Sequence, residues 1–355
     1  MKLIPVFLIF CFNWIDASAQ PKKNDTRPAN LGSKTFSLHT QDEDISLKLP
    51  FSKIRVIDAR FDTSKLGFVA NRVVLMEPTN RFERLKLRGG TAAALENYYA
   101  NAHLDRASLS EYGLLIVIKK FWISSAREYD FQKQSLSLTI NGESRLIAKW
   151  ELYIFKDDEY LPFRRIDTTI ESTQSVRQLF KDENATDYNK ENIYSILTNF
   201  LGQYNYTKAV AVFADRAKKS LKEINDLNIE RFQIPIISDN KVRKGVFQNF
   251  TEFKNNAPSL LNFKENSMKY SLIREDQFLV DDKGAAITNY WAYSTDKYAR
   301  IGPYGNETIF RSGNTFDFFV KKRIVTPRSQ GDIVFKNHFM IWIPYQIDME
   351  TGEFY

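Results

Sequence analysis

Ser135-Leu-Ser-Leu-Thr-Ile-Asn-Gly-Glu-Ser-Arg-Leu-Ile-Ala-Lys-Trp-Glu-Leu-Tyr-Ile-Phe-Lys-Asp-Asp-Glu159 is the stretch whose reading decides the fold. From Ser135 to Ile140 apolar and polar residues alternate, the period of a strand with one buried face. Asn141-Gly142 follows, the strongest short hairpin signal, because both central residues of such a turn need positive φ. Leu146 to Phe155 reads as the returning strand. Asp157-Asp158-Glu159 reads as a second turn, with Tyr160 to Ile170 as the strand beyond it. Just upstream, Leu114-Leu-Ile-Val-Ile118 is an unbroken apolar run, as in a strand buried on both faces, and it continues into Phe121-Trp-Ile123. Consecutive hairpins argue against a doubly wound parallel sheet.

Working outward, Ile54 to Phe61 and Val73 to Met76 read as further strands. Thr91 is placed to cap a helix running to Leu104. Lys190 to Leu221 has helical spacing in two halves, one carrying Ile193, Leu197, Phe200 and Leu201, the other Val210, Phe213, Ala214, Ala217 and Leu221. The expected fold class is α+β: a mostly antiparallel sheet with helices on one face, followed by a small all-β C-terminal domain. The expected divisions are a signal peptide over 1–19, a disordered tether over 20–34, an α+β domain over 35–225, a linker over 226–243 and a small β domain over 244–355.

That last domain opens with Lys244-Gly-Val-Phe-Gln-Asn-Phe-Thr-Glu-Phe-Lys-Asn-Asn-Ala-Pro-Ser259. Phe247, Phe250 and Phe253 recur every third residue, so a helical turn would place them on one side. Asn249 and Glu252 have capping-box spacing. Asn255, Asn256 and Pro258 then stop the turn. The three phenylalanines are the candidate docking residues of the chain. Short strands with a turn about every ten residues follow, as in a small sandwich or barrel.

The N-terminus carries the address. Lys2, the apolar run Leu3 to Phe12 and Ala17-Ser-Ala19 form a secretory signal peptide. The run is about half of the ~20 residues that a membrane-spanning helix needs. Cys11 follows Phe10, where a lipoprotein signal needs a small residue, so soluble export to the periplasm or beyond is expected. Cys11 is the sole cysteine, so the mature chain has neither disulfide nor thiol nucleophile and must be held by its core.

Chemistry is mostly excluded. No G-x-S-x-G, P-loop or G-x-G-x-x-G is present. The 3 histidines, His39, His103 and His338, are far apart in sequence, so neither a metal nor another cofactor is expected. The acidic runs Asp42-Glu43-Asp44 and Asp157-Asp158-Glu159 read as turns. Asp58 and Glu151, both in expected strands, are the acids to check for a carboxylate-dependent hydrolase acting on a glycan or peptide. The formal charge of +7 is modest, and Lys321-Lys322-Arg323 is short, so nucleic-acid binding is not expected.

Lys244 to Ser259, with Trp291-Ala-Tyr-Ser-Thr-Asp-Lys-Tyr298 and Tyr345-Gln-Ile-Asp-Met-Glu-Thr-Gly352, resembles the C-terminal part of uncharacterised secreted proteins of Bacteroidota. The resemblance covers about the last third of the chain and implies an address without a chemistry. The order of elements before it is loosely similar to small periplasmic α+β adaptor domains. The resulting expectation is a non-enzymatic interaction protein of the cell envelope, with an unknown protein or envelope component as partner. N-terminal sequencing of the exported protein should begin at Gln20; a lipidated Cys11 at the first position would refute soluble export.

Overall fold

The structure is a computed structural model. It describes residues 31–38, 49–70, 82–102, 111–132, 137–178, 217–239, 241–269, 275–303, 305–330 and 333–355. The expected strand at Val73 to Met76, the helical pattern from Lys190 to Ala214, the run Asp42–Asp44, His39 and His103 lie outside these residues.

The N-terminal part is built from β1 (Ser33–Phe36), β2 (Lys53–Asp58), β3 (Gly67–Ala70), β4 (Phe82–Leu87), α1 (Thr91–Ala102), β5 (Gly113–Gln132), β6 (Ser137–Lys156), β7 (Glu159–Gln178) and β8 (Lys219–Ser220). Its strands form one sheet in the order β1-β4-β3-β5-β6-β7-β8, with β2 also paired to β5. α2 (Leu221–Arg231) follows directly, capped by a reciprocal Ser220–Glu223 box, and then comes α3 (Pro235–Ser238).

The expected α+β class, with helices on one face of a mostly antiparallel sheet, is overturned. The protein is mostly β, and the sheet is mixed and curled. β1 runs parallel to β4, and both β2 and β3 run parallel to β5. The reason lies in Leu114–Ile118, whose five side chains are each 0 % exposed. Leu114, Ile116 and Ile118 join a core with Leu95, Tyr98 and Tyr99 of α1. Leu115 and Val117 face a second cluster with Tyr153, Phe155, Tyr160 and Ile224 of α2. A strand apolar on both faces needs a cover on each, so helices stand on both sides. A register shift between Ile118 and Lys120 bulges β5 at Lys119. Before it β5 pairs with β2, and after it with β3.

The meander β5-β6-β7 is present, but its first turn is not at Asn141-Gly142. Those residues lie inside β6, opposite Glu128 and Arg127 of β5 and Ser175 and Gln174 of β7. Pairing on both edges outweighs the local turn preference. The second turn is where expected, with Asp157 and Asp158 at φ 47° and 62°, the two positive values of a tight hairpin turn. β5, β6 and β7 are 20 residues each, against a usual 3–10, and span about 65 Å.

The C-terminal part holds β9 (Gly245–Phe247), α4 (Phe250–Lys254), β10 (Lys264–Lys269), β11 (Glu275–Val280), β12 (Ala286–Ile287), β13 (Ala292–Ser294), β14 (Ala299–Ile301), β15 (Glu307–Ser312), β16 (Thr315–Gln330) and β17 (Ile333–Gln346). One sheet runs β17-β16-β15-β14-β13-β9, and β10-β11-β12 form a smaller one. Asn249 caps α4 by accepting from Glu252 N at 3.0 Å, while the Glu252 carboxylate accepts from Gln248 N at 2.8 Å. Asn256, at φ 50°, ends the turn.

Phe247 sits in β9 rather than in the helical turn, and Phe247 and Phe253 are fully buried. The Phe253 ring lies 5.5 Å from Phe247, 4.6 Å from Trp291 and 5.4 Å from Phe316. Phe250 is partly buried against the same cluster. The three rings are therefore part of the core of the six-stranded sheet. Phe253→Ala should lower unfolding stability by about 3–5 kcal/mol, as for other buried phenylalanine truncations. Phe250→Ala should cost clearly less; chemical denaturation of both variants checks the order.

Candidate functional site

The densest chemistry lies where the loop after β2 meets the second sheet. That loop reads Ala59-Arg-Phe-Asp-Thr-Ser-Lys-Leu66. Asp62 Oδ1 accepts from Ser64 N at 2.8 Å and Ser64 Oγ at 2.6 Å, so the aspartate folds the loop on itself. Arg60 is buried and grips Asp58 through two bonds of 2.7 Å. Its remaining donors reach Lys65 O at 2.7 Å and Thr91 Oγ1 at 2.8 Å. Gly67 closes the loop at φ 146°, pressed so tightly on Ile123 that a Cβ would meet its carbonyl oxygen at 1.8 Å. Only glycine fits there. The backbone on either side of Lys65 is thus held from both ends.

The loop is met by the β15–β16 turn, where Asn314 N donates to Phe61 O at 2.9 Å. Lys65 Nζ donates to Asp62 Oδ2, to Ser312 Oγ at 2.7 Å and to Asp317 Oδ2 at 2.9 Å. Ser312 Oγ donates in turn to Asp62 Oδ2 at 2.8 Å. Gln346 Nε2 donates to Asp317 Oδ1 at 3.1 Å and Asp62 Oδ2 at 3.3 Å. The side chains of Lys65, Asp62 and Asp317 are 0 %, 1 % and 7 % exposed. Phe68 and Trp122 wall the ammonium, with ring centres 5.3 and 6.0 Å away.

The two carboxyls are pushed apart. Burial pushes Asp62 up, but Lys65 and the Ser64 bonds outweigh it and hold the group below the usual carboxylate range. Burial dominates at Asp317 and, despite Lys65 and Gln346, raises it.

Beside this cluster is a small cleft lined by Arg60, Lys120, Trp122, Asp348, Glu350 and Tyr355, among others. Lys120 Nζ donates to Asp348 Oδ2. Lys149 Nζ and Arg231 both hold Glu350, the latter through Nε at 2.8 Å. Arg231 Nη1 also donates to Ala59 O at 2.9 Å. Asp348 and Glu350 are thus held by cations of the first sheet and α2. The cleft admits little more than ordered water.

The sequence pointed elsewhere. Asp58 holds Arg60 in place, as above. Glu151 accepts from Lys119 Nζ at 2.6 Å and Tyr153 OH at 3.0 Å, and burial, then Glu151, pushes the Tyr153 phenol up. The two acids serve separate partners and form no catalytic pair. Lys321-Lys322-Arg323 lies in β16 opposite Trp342, Ile341 and Met340, and His338 lies in β17 opposite Val325. Among the described residues no group of three His, Cys, Asp or Glu could hold a metal ion, and no helix is long and apolar enough to cross a membrane. The Lys65 cluster was missed because its members are up to 284 residues apart. The one local signal was Asp62-x-x-Lys65, an acid and an amine three residues apart in a loop that also carries Arg60.

Comparison with known proteins returns no match among family models, curated proteins or solved structures.

Glu350 predicts a pH response. Burial pushes its carboxyl up, but Lys149 and Arg231 prevail and hold it at about 2. Its folded value lies below the unfolded one of about 4.3. Its contribution is therefore present above that value and lost as pH falls through about 2. Glu350→Gln should be less stable than the parent at pH 7, with the gap closing between about pH 4.3 and the folded value of about 2. Denaturation midpoints across that range check it.

Proposed function

We propose that the chain is an exported, non-enzymatic protein of the cell envelope that works by contact with another protein or envelope component. The observation that carries this reading is the β16–β17 hairpin. Its ladder runs in unbroken register from Asp317↔Gln346 to Gln330↔Ile333. Phe316, Phe318 and Phe319 bury the start of β16, and the paired backbone runs on from there to Gln330↔Ile333. Among the described strands β17 pairs with β16 alone. Its sequence, Ile333-Val-Phe-Lys-Asn-His-Phe-Met-Ile-Trp-Ile-Pro-Tyr-Gln346, is rich in the aromatic residues favoured at protein interfaces. A long apolar edge strand is a template for an added strand from a partner.

The site chemistry supports the same reading. A hydrolase needs acids that a substrate can reach, whereas Asp62 and Asp317 are closed around Lys65. Asp58 and Glu151 are each held by a cation. The signal sequence supports export, and the resemblance of the last third to secreted proteins supports an envelope address.

The test is affinity purification of the mature protein from its native envelope, beside a version lacking residues 325–338. That deletion shortens both strands equally, since Val325 faces His338. A partner held by the parent and lost by the shortened hairpin is the expected result. Turnover in a broad hydrolase screen, with no partner recovered, would overturn the proposal.

A further inference from the structure

The Lys65 cluster contains more than an ion pair requires. An amine, a carboxyl acceptor, a second carboxyl, a hydroxyl relay and an amide donor all converge, with the amine and both carboxyls almost fully buried. We propose that Lys65 and Asp317 become joined by an intramolecular isopeptide bond, Nζ to Cγ, that ties the loop after β2 to strand β16. The inference stands apart from the partner-binding reading and concerns how the two sheets are held together.

Geometry supports each step. Lys65 Nζ lies 2.9 Å from Asp317 Oδ2, which brings the carboxyl carbon close to near-attack range, about 3–3.5 Å. The groups have no room to separate: the Lys65 backbone is fixed by Arg60 and Gly67, and its tip is walled by Phe68 and Trp122. Asp62 Oδ2 accepts from Lys65 Nζ both directly and through Ser312 Oγ. It is the base that frees the amine lone pair. Gln346 Nε2 points at Asp317 Oδ1 at 3.1 Å, where negative charge develops as the carbonyl carbon becomes tetrahedral. The opposed shifts of the two acids fit these roles, with Asp62 ionised as base and Asp317 biased toward the neutral acid that an amine can attack.

The reaction balances without a co-reactant. Lys65 enters as ammonium, Asp62 as carboxylate and Asp317 as carboxylic acid. Asp62 takes one proton from Lys65, and the nitrogen lone pair attacks Asp317 Cγ. The nitrogen sheds a second proton, which passes through Ser312 or Asp62 to the departing hydroxyl oxygen. The N–C bond forms, the C–O bond breaks, and one water leaves. The products are a secondary amide and a protonated Asp62, so a buried ion pair is replaced by neutral groups and its desolvation cost disappears.

Intact mass of the purified mature protein under denaturing conditions tests this directly. The expected mass is lower than that of the sequence by one water molecule. Protease digestion should yield a branched peptide joining the segments that carry Lys65 and Asp317. Lys65→Arg keeps the positive charge, cannot form this amide, and should have the full mass. Asp62→Asn keeps both joined residues but lacks the base, and should also have the full mass. A parent protein of full mass overturns the proposal whether or not the variants fold. So does a water loss that maps elsewhere, such as Lys65 to Asp62, or that persists in Lys65→Arg. Bond formation in Asp62→Asn overturns the role given to Asp62.

Discussion

Strand β5 is the constraint on which the rest of the structure depends. With Leu114 to Ile118 wholly buried, neither face of the strand can be left to water, and the chain must lay a layer on each side. α1 covers one face and α2 the other, each packing on β5 together with same-face residues of strands in its own sheet. The bulge at Lys119 then changes which strand occupies the free edge. At it and just after it, Lys119 and Lys120 bond to Glu151 and Asp348. The apolar demand of one strand therefore also sets where the cations of the cleft can stand.

Lys120, Lys149 and Arg231 meet Asp348 and Glu350 across the seam between the sheets. Buried ion pairs give little net stability over apolar packing, because desolvation offsets their attraction. Their effect is on arrangement. Moving one sheet past the other would break the bonds of Lys65 to Ser312 and Asp317 and those of Ser312 and Gln346 to Asp62, and each buried group left short of a partner costs of order 1–3 kcal/mol or more. Arg60 sits behind this contact, bonding to a strand acid, a helix residue and the loop carbonyl of Lys65.

Much of the local structure was legible. The apolar run of β5, the turn at Asp157-Asp158 and the cap at Asn249 depend on near neighbours and follow from spacing. Asn141-Gly142 misled because its local turn preference is smaller than the gain from pairing along both edges of a 20-residue strand. The placement of helices on one face failed for a related reason. The two-sided burial of Leu114–Ile118 was visible, but which elements would cover each side was not. The phenylalanines of Lys244–Ser259 stood out as a group, and whether their rings were core or surface depended on Trp291 and Phe316, far along the chain.

By itself the sequence determined the single cysteine, the apolar run of β5, the turn at Asp157-Asp158 and the lack of G-x-S-x-G, P-loop and G-x-G-x-x-G motifs. These are properties of composition and short-range spacing. The tertiary structure alone decided the mixed strand order, the cover on both faces of β5 and the Lys65–Asp62–Asp317 cluster. The physical reason is burial. An aspartate or lysine in the sequence reads as solvated until its neighbours remove the water, and here those neighbours come from opposite ends of the chain.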